Sequence, residues 1–379
     1  MPAESHDDVY FDHAASAPLW DEVIEVISEL SGRTFANPSG SHRAAREARR
    51  ILEESRDRIA AFVGSRPSEV VWCSGGTEAD NLAVGGVGLG GSVIVSAVEH
   101  PAVMEPAERR NARLLGVTAD GLIDLAELGE LLDDEVGLVS VMAVNNEIGT
   151  VQPLAALAEL VRARSPRAVI HTDAVQAAPW CDLTEIWPHV DAMSLSAHKI
   201  GGPKGIGTLI VRDGVSLRPA LVGGGQERGR RSGTQNVVGA AAMAAAADLT
   251  STHRAEVGGR VSALRARLVD GLRERLDGVT ETSDRRHKVA GNAHVCVAGV
   301  ESEALLFLLD RDGIAASAAS SCASGAQQSS SVLAAIGVPS DLASGAVRFT
   351  LGATTSEADI DRVLEVVPDA VRRLRSTGS

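Results

Sequence analysis

The chain has 379 residues, with 36 Lys and Arg against 50 Asp and Glu for a net charge of −14. That length exceeds one ordinary core and predicts two domains, and 44% hydrophobic with 23% charged residues is the balance of a globular protein, not a disordered one. So acidic a surface repels nucleic-acid phosphates and anionic membranes, and four cysteines without CxxC spacing argue against a zinc site or a disulfide framework.

The opening "MPAESHDDVY" is acidic and has no apolar core, so it does not read as a secretory signal. From about residue 70 to 212, short apolar runs alternate with helical patterns. The runs are "VVWC" (70–73), "VIVSAV" (93–98), "LVSVMAV" (138–144), "AVIH" (168–171), "AMSLS" (192–196) and "TLIV" (208–211). Continuous β-branched runs separated by helices predict an α/β fold with a mostly parallel sheet covered on both faces. The longest apolar stretch, "VVGAAAMAAAA" (237–247), is too short to span a bilayer and reads as a buried alanine-rich helix. An amphipathic helix is expected over residues 257–276, then a smaller α+β unit closed by a helix over 356–375. The expected division is a large domain over 16–252 and a small domain built from 1–15 and 253–379, with the boundary near 250–258. Reduced cysteines and no signal make the cytoplasm the expected compartment.

In open parallel sheets ligands bind beyond the carboxyl ends of the strands, so the residues just past each run carry the most information. After "VVWC" comes "SGGTEADN", whose glycines and Thr77 suit an anion at a helix N terminus, although Thr77 is equally suited to be an ordinary cap. His100 lies just past the second run, and the two amides of "NNEIGT" (145–150) lie just past the third. Asp173 and Gln176 come after "AVIH"; Lys199 ends "SLSAHK" and precedes the glycine-rich "IGGPKGIG". Singly, each suits a cap, a turn or a solvated surface. Jointly they place a lysine amine, an aspartate, an anion cradle and a planar histidine at one sheet edge, the set that pyridoxal 5'-phosphate needs. "GVGLGG" (86–91) matches a dinucleotide fingerprint but comes after a helix and before a strand, the reverse of the required order.

One cysteine, Cys322, lies in "SAASSCASGAQQSSS" (317–331), a run with no apolar face. Cys73 and Cys296 fall on expected strands and Cys181 at a turn, as core residues do.

From "YFDHAASAP" (10–18) to "VRFTLG" (347–352) the chain resembles the cysteine desulfurases of the class V aminotransferase family. The blocks that carry the likeness include "NPSGSH", "SGGTEADNLA", "NNEIGTVQP", "HTDAVQ", "SLSAHKIGGPKGIG", "GGGQERGRRSGTQN" and "SAASSCASG". The resemblance implies a fold type I enzyme that takes sulfur from L-cysteine, leaves L-alanine and passes a persulfide to an acceptor protein. It implies that Lys199 binds the cofactor as a Schiff base, Asp173 faces the ring nitrogen, Gln176 the ring hydroxyl, and His100 stacks on the ring as acid/base. Thr77, Ser196 and His198 would hold the phosphate, with Thr234 from the second subunit of a homodimer. Asn146 and Arg348 would bind the substrate carboxylate and Cys322 would accept the sulfur. The segment departs from the family pattern at Ala319 and Ser321, and "DHAASAP" departs near the N terminus. Selenocysteine lyase or another class V aminotransferase is the alternative. No direct nucleic-acid or membrane contact is expected: the arginines at 43–50 alternate with glutamates and "ERGRR" lies in a family block. The destination of the sulfur stays open between iron–sulfur assembly, thiolation of tRNA, cofactor sulfuration and DNA phosphorothioation.

Overall fold

Runs of β-branched residues favour extended chain buried on both faces. The computed structural model, which describes residues 8–318 and 330–377, builds them into a seven-stranded sheet. A two-residue β1 (Val9–Tyr10) precedes it. The sheet comprises β2 (Val70–Cys73), β3 (Ser92–Ser96), β4 (Arg113–Leu115), β5 (Val136–Ser140), β6 (Val169–Asp173), β7 (Ala192–Ser196) and β8 (Gly207–Val211). Their spatial order is β2-β8-β7-β6-β5-β3-β4. Only β8 runs antiparallel to its neighbours, β7 and β2. Reversing twice returns β2 to the direction of β7, so the carboxyl ends of β2, β3, β4, β5, β6 and β7 share one edge.

Three-residue β4 escapes sequence reading because so short an edge strand leaves no periodicity. β3 and β5 stop at Ser96 and Ser140, short of the expected 98 and 144. Beyond those points single backbone bonds still reach the neighbouring strands, from Ala97 to Leu115 O, Val141 to His171 O and Ala143 to Asp173 O.

One core joins Ile94, Val139, Ile170, Met193 and Ile210 of the sheet to Ile59, Leu157 and Met243 of the covering helices. A second gathers Phe11, Leu264, Leu268, Val295, Leu305, Phe349 and Val363. It surrounds an antiparallel sheet of β9 (Val279–Glu281), β10 (Asn292–Val297) and β12 (Ala346–Thr350); β11 (Ile314–Ala315) pairs with β1.

The two cores share a helix. Sequence reading expected one helix ending near 247 and another starting at 257; instead Val237–Arg275 is a single helix of 39 residues. Gly258 and Gly259 cost about 1 kcal/mol each in a helix interior, and a Cβ at either would meet nothing within 4 Å. Burial outweighs that cost: Ala240–Ala247 sink into the first core, while Val261, Leu264, Leu268 and Leu272 sink into the second.

Candidate active site

Nine residues singled out from the sequence line one cavity of about 860 Å³ at the carboxyl edge of the sheet: Thr77, His100, Asn146, Asp173, Gln176, Ser196, His198, Lys199 and Arg348. Their placement is set by the strands. Asp173 and Ser196 are the last residues of β6 and β7, and Lys199 ends the single turn after β7. Arg348 arrives from the middle of β12, so the second sheet supplies one wall.

The helix Gly76–Gly86 has Gly75 in its cap position, and no side chain caps it. Thr77 is therefore inside the first turn and is not the cap. A Cβ on Gly76 would stand 3.0 Å from Val175 Cγ2 and 3.5 Å from Ser196 Cβ, so bare backbone lets this turn nest against the ends of β6 and β7. The acidic neighbour Glu78 is turned away, accepting from the Ser74 N–H at 2.6 Å and pairing with Arg231 at 2.7 Å.

His100 does two jobs. Its Nδ1 accepts from the Ala102 N–H at 3.1 Å, capping the helix Pro101–Glu108. With that nitrogen occupied as an acceptor, the neutral ring carries its proton on Nε2. Burial lowers its pKa, as does the Lys199 charge, against the opposing pull of Asp173.

Lys199 Nζ donates to Ala14 O at 2.5 Å and Ala15 O at 2.8 Å, and Gln176 Nε2 donates to Ala14 O at 2.6 Å. Burial, reinforced by the Arg348 charge, lowers the lysine to about 8 despite the attraction of Asp173 and Asp12. Burial and the charges of Lys199 and Lys204 lower His198 to about 4, which keeps it neutral. Asp173 is 6% exposed and accepts from the Val175 N–H at 2.8 Å. Behind it, burial and the charge of Asp173 push Asp80 well above the ordinary carboxyl range; Asp80 Oδ1 has no hydrogen-bond partner among the described residues.

The sequence profile of the family described as Aminotransferase class-V matches residues 9–363. The chain belongs to that family. Its relatives include an IscS-like cysteine desulfurase of Mycobacterium tuberculosis, 41% identical over 97% of this chain and 97% of that protein. Among solved structures, a NifS-like protein superposes with a TM-score of 0.91 at 31% identity, covering 97% of this chain and 100% of that one. SspA in complex with cysteine superposes with a TM-score of 0.78 at 29% identity, covering 92% and 99%.

The class V cofactor is pyridoxal 5'-phosphate, and the cavity's chemistry fits it. Asp173 is an acidic group of the lining; burial pushes its carboxyl up, and a protonated ring nitrogen beside it would supply the charge that favours the carboxylate. Thr77, Ser196 and neutral His198 bring donors to an uncapped helix N terminus, as a phosphate requires. An amine lowered to about 8 suits a Schiff-base lysine.

Two candidates stand apart. Thr234 is exposed and does not line this chain's cavity. Cys322 lies outside the described residues, as do Ala319 and Ser321; the flanking residues Ala318 and Ser330 both line the cavity. Burial raises the other thiols: Cys73 strongly, Cys181 and Cys296 to about 11.

Sequence reading missed Asp12, which pairs with Arg348, and Glu147, which accepts from the Ser330 hydroxyl at 2.5 Å. Both sit inside quoted blocks; Asp12 follows "VYF" (9–11), too short a run to be read as a strand, and Glu147 follows two amides. Of the arginines read as a paired face, Arg50 pairs with Glu47 and Glu54; elsewhere Arg56 pairs with Glu227, and Arg231 of "ERGRR" with Glu78. Among the described residues no helix is long and apolar enough to cross a membrane, and no cluster of His, Cys, Asp or Glu could hold a metal.

Proposed function

We infer that the chain is a pyridoxal-phosphate-dependent cysteine desulfurase that forms L-alanine and a persulfide on Cys322. One observation carries this: Lys199, Asp173, His100 and Arg348 meet in a cavity from whose wall both ends of the Cys322-bearing segment depart. Cys322 stands four positions after Ala318, a tether of at most about 14 Å when extended.

Lys199 would hold the cofactor covalently, Asp173 its ring nitrogen and Gln176 its ring hydroxyl. Thr77, Ser196 and His198 would hold the phosphate, joined by Thr234 of a second copy in a homodimer. When bound, pyridoxal phosphate supplies an electron sink that acidifies the substrate Cα–H and weakens its C–S bond. Asn146 and Arg348 orient the substrate through its carboxylate, which fixes where the Cα–H points. Lys199, with its amine held near 8, takes and returns that proton near neutral pH. His100 presents Nε2–H toward the substrate sulfur. A proton accepted by the ring would fall on Nδ1 and break the helix cap, so the resting ring acts as a donor.

The Cys322 thiolate attacks the substrate sulfur. The C–S bond breaks, the S–S bond forms, and the electron pair left on Cβ is protonated to give alanine. The sulfur is oxidised as the carbon is reduced, so no outside oxidant is needed. An acceptor protein then removes the terminal sulfur.

The test is Cys322→Ser. The variant should keep the bound cofactor's visible absorbance and still bind cysteine, yet release no sulfide under reductant. Sulfide release at the wild-type rate would assign the chemistry to another thiol.

A further inference from the structure

Arg348 reaches the cavity already engaged. It is 4% exposed, its Nη1 donates to Asn146 O at 2.7 Å, and its Nη2 donates to Asp12 Oδ1 at 2.8 Å. Its Nε is buried without a partner among the described residues. A guanidinium ordinarily meets a carboxylate through two parallel bonds, whereas Asp12 holds it through one. Asp12 keeps 24% of its side chain exposed, so water can receive the carboxylate when it swings away.

The backbone of Asp12 is pinned meanwhile. The Tyr10 hydroxyl donates to Asp12 O at 3.0 Å and to Ser16 O at 2.8 Å, and Asp12 bridges Thr350 of β12. The same stretch offers Ala14 O and Ala15 O to Lys199. Two further titratable groups face the pair: Lys199, drawn to Asp12, and Glu147, whose carboxyl burial pushes up against the pull of Ser330 and Arg348.

We propose that Asp12 is a positioning residue that occupies one arm of Arg348 and yields it only to another carboxylate, so that the α-carboxylate becomes the condition for productive entry. This rests on the desulfurase reading and names how that site selects its substrate. A ligand carboxylate exchanges one anion for another and gains a second bond to the fork. A ligand without one has nothing to offer Arg348, and Asp12 stays on the guanidinium.

The experiment uses holoenzyme and 3-mercaptopropionate, which is cysteine without the amino group and so cannot replace Lys199 on the cofactor. Its uncharged amide is the control. Calorimetric Kd values are compared for wild type, Asp12→Asn and Asp12→Glu, together with kcat and KM for cysteine. Asp12→Asn removes the competing charge at nearly constant shape. It should bind the acid about fivefold tighter, the size of a partly exposed carboxylate–guanidinium pair, leave the amide unchanged and lower KM without raising kcat. Asp12→Glu should restore wild-type affinity. Unchanged or weaker binding of the acid by Asp12→Asn, with cofactor content and Tm retained, would overturn the proposal. If both Asp12→Asn and Asp12→Ser failed to fold, Asp12 would be a structural residue and the proposal would also be overturned. A wild type that made no alanine from cysteine would sink the desulfurase reading instead, and the comparison of the two probes would show it separately.

Discussion

Replacing Arg348 by lysine keeps the charge and removes the fork. In the structure the two Nη atoms bond in two directions at once, to Asn146 O at 2.7 Å and Asp12 Oδ1 at 2.8 Å. A lysine has a single nitrogen, and serving a substrate carboxylate from it forfeits one of the two parallel bonds that a guanidinium makes. A charge-assisted hydrogen bond of this kind contributes about 1.5–3 kcal/mol. At about 1.4 kcal/mol per factor of ten, kcat/KM for cysteine should fall about 10- to 150-fold. The assay is the initial rate of alanine formation at subsaturating cysteine, with cofactor content and Tm as controls for folding. A lysine variant within twofold of wild type would refute the fork geometry, because charge alone would then have sufficed.

Three further outcomes are expected. Lys199→Ala should lose the visible absorbance of bound pyridoxal phosphate on dialysis and form no alanine; retained absorbance and turnover would exclude Lys199 as the anchor. In the apo-protein the neutral amine of Lys199 grows in as pH rises through about 8. The rate of cofactor uptake should therefore climb with a midpoint near 8 and level off, whereas a midpoint near 10 would mark an ordinary lysine. The folded chain also binds fewer protons than the unfolded one between those values, so apo-protein stability gains from this group as pH rises across the window. Glu227→Gln should destabilise the fold by about 3–5 kcal/mol, the cost of stranding a buried partner. The Glu227 side chain is 1% exposed and accepts from Arg56 at 2.8 and 3.0 Å and from the Trp72 N–H at 3.1 Å. Its pKa is held below the ordinary value by Arg56 against burial, so this stabilisation is present above the unfolded pKa and is lost as pH falls through the folded one. The gap between wild type and variant in urea titrations should narrow on acidification; a gap that widened would contradict the pairing.

Much of the site was readable because an apolar run announces a strand, and a polar residue just past its end has few places to go but the carboxyl edge. Lys199, Asp173 and His100 were found that way, one strand each. Asp12 was not. Its partner lies 336 residues away, and nothing in "FDHAASAP" signals that an aspartate will meet an arginine on another sheet. Thr77 shows the converse. Its residue type allowed either a cap or a ligand, and only the backbone shows that Gly75 occupies the cap position. The helix Val237–Arg275 looks like two in the sequence because paired glycines and a change of pattern resemble a break. Burial in two cores overrode that local preference.

By itself the sequence determined the order of elements, the α/β class and the residue types available for chemistry, since hydrophobic period and turn composition act within a few residues of their own position. Tertiary structure alone decided which of those residues meet. The reversal of β8 turned β2 to the direction of β7, so that the carboxyl ends of six strands share one edge. The second sheet then delivered Arg348 to the same cavity, with Asp12 on its guanidinium. Such encounters depend on packing between distant segments, and no local pattern encodes them.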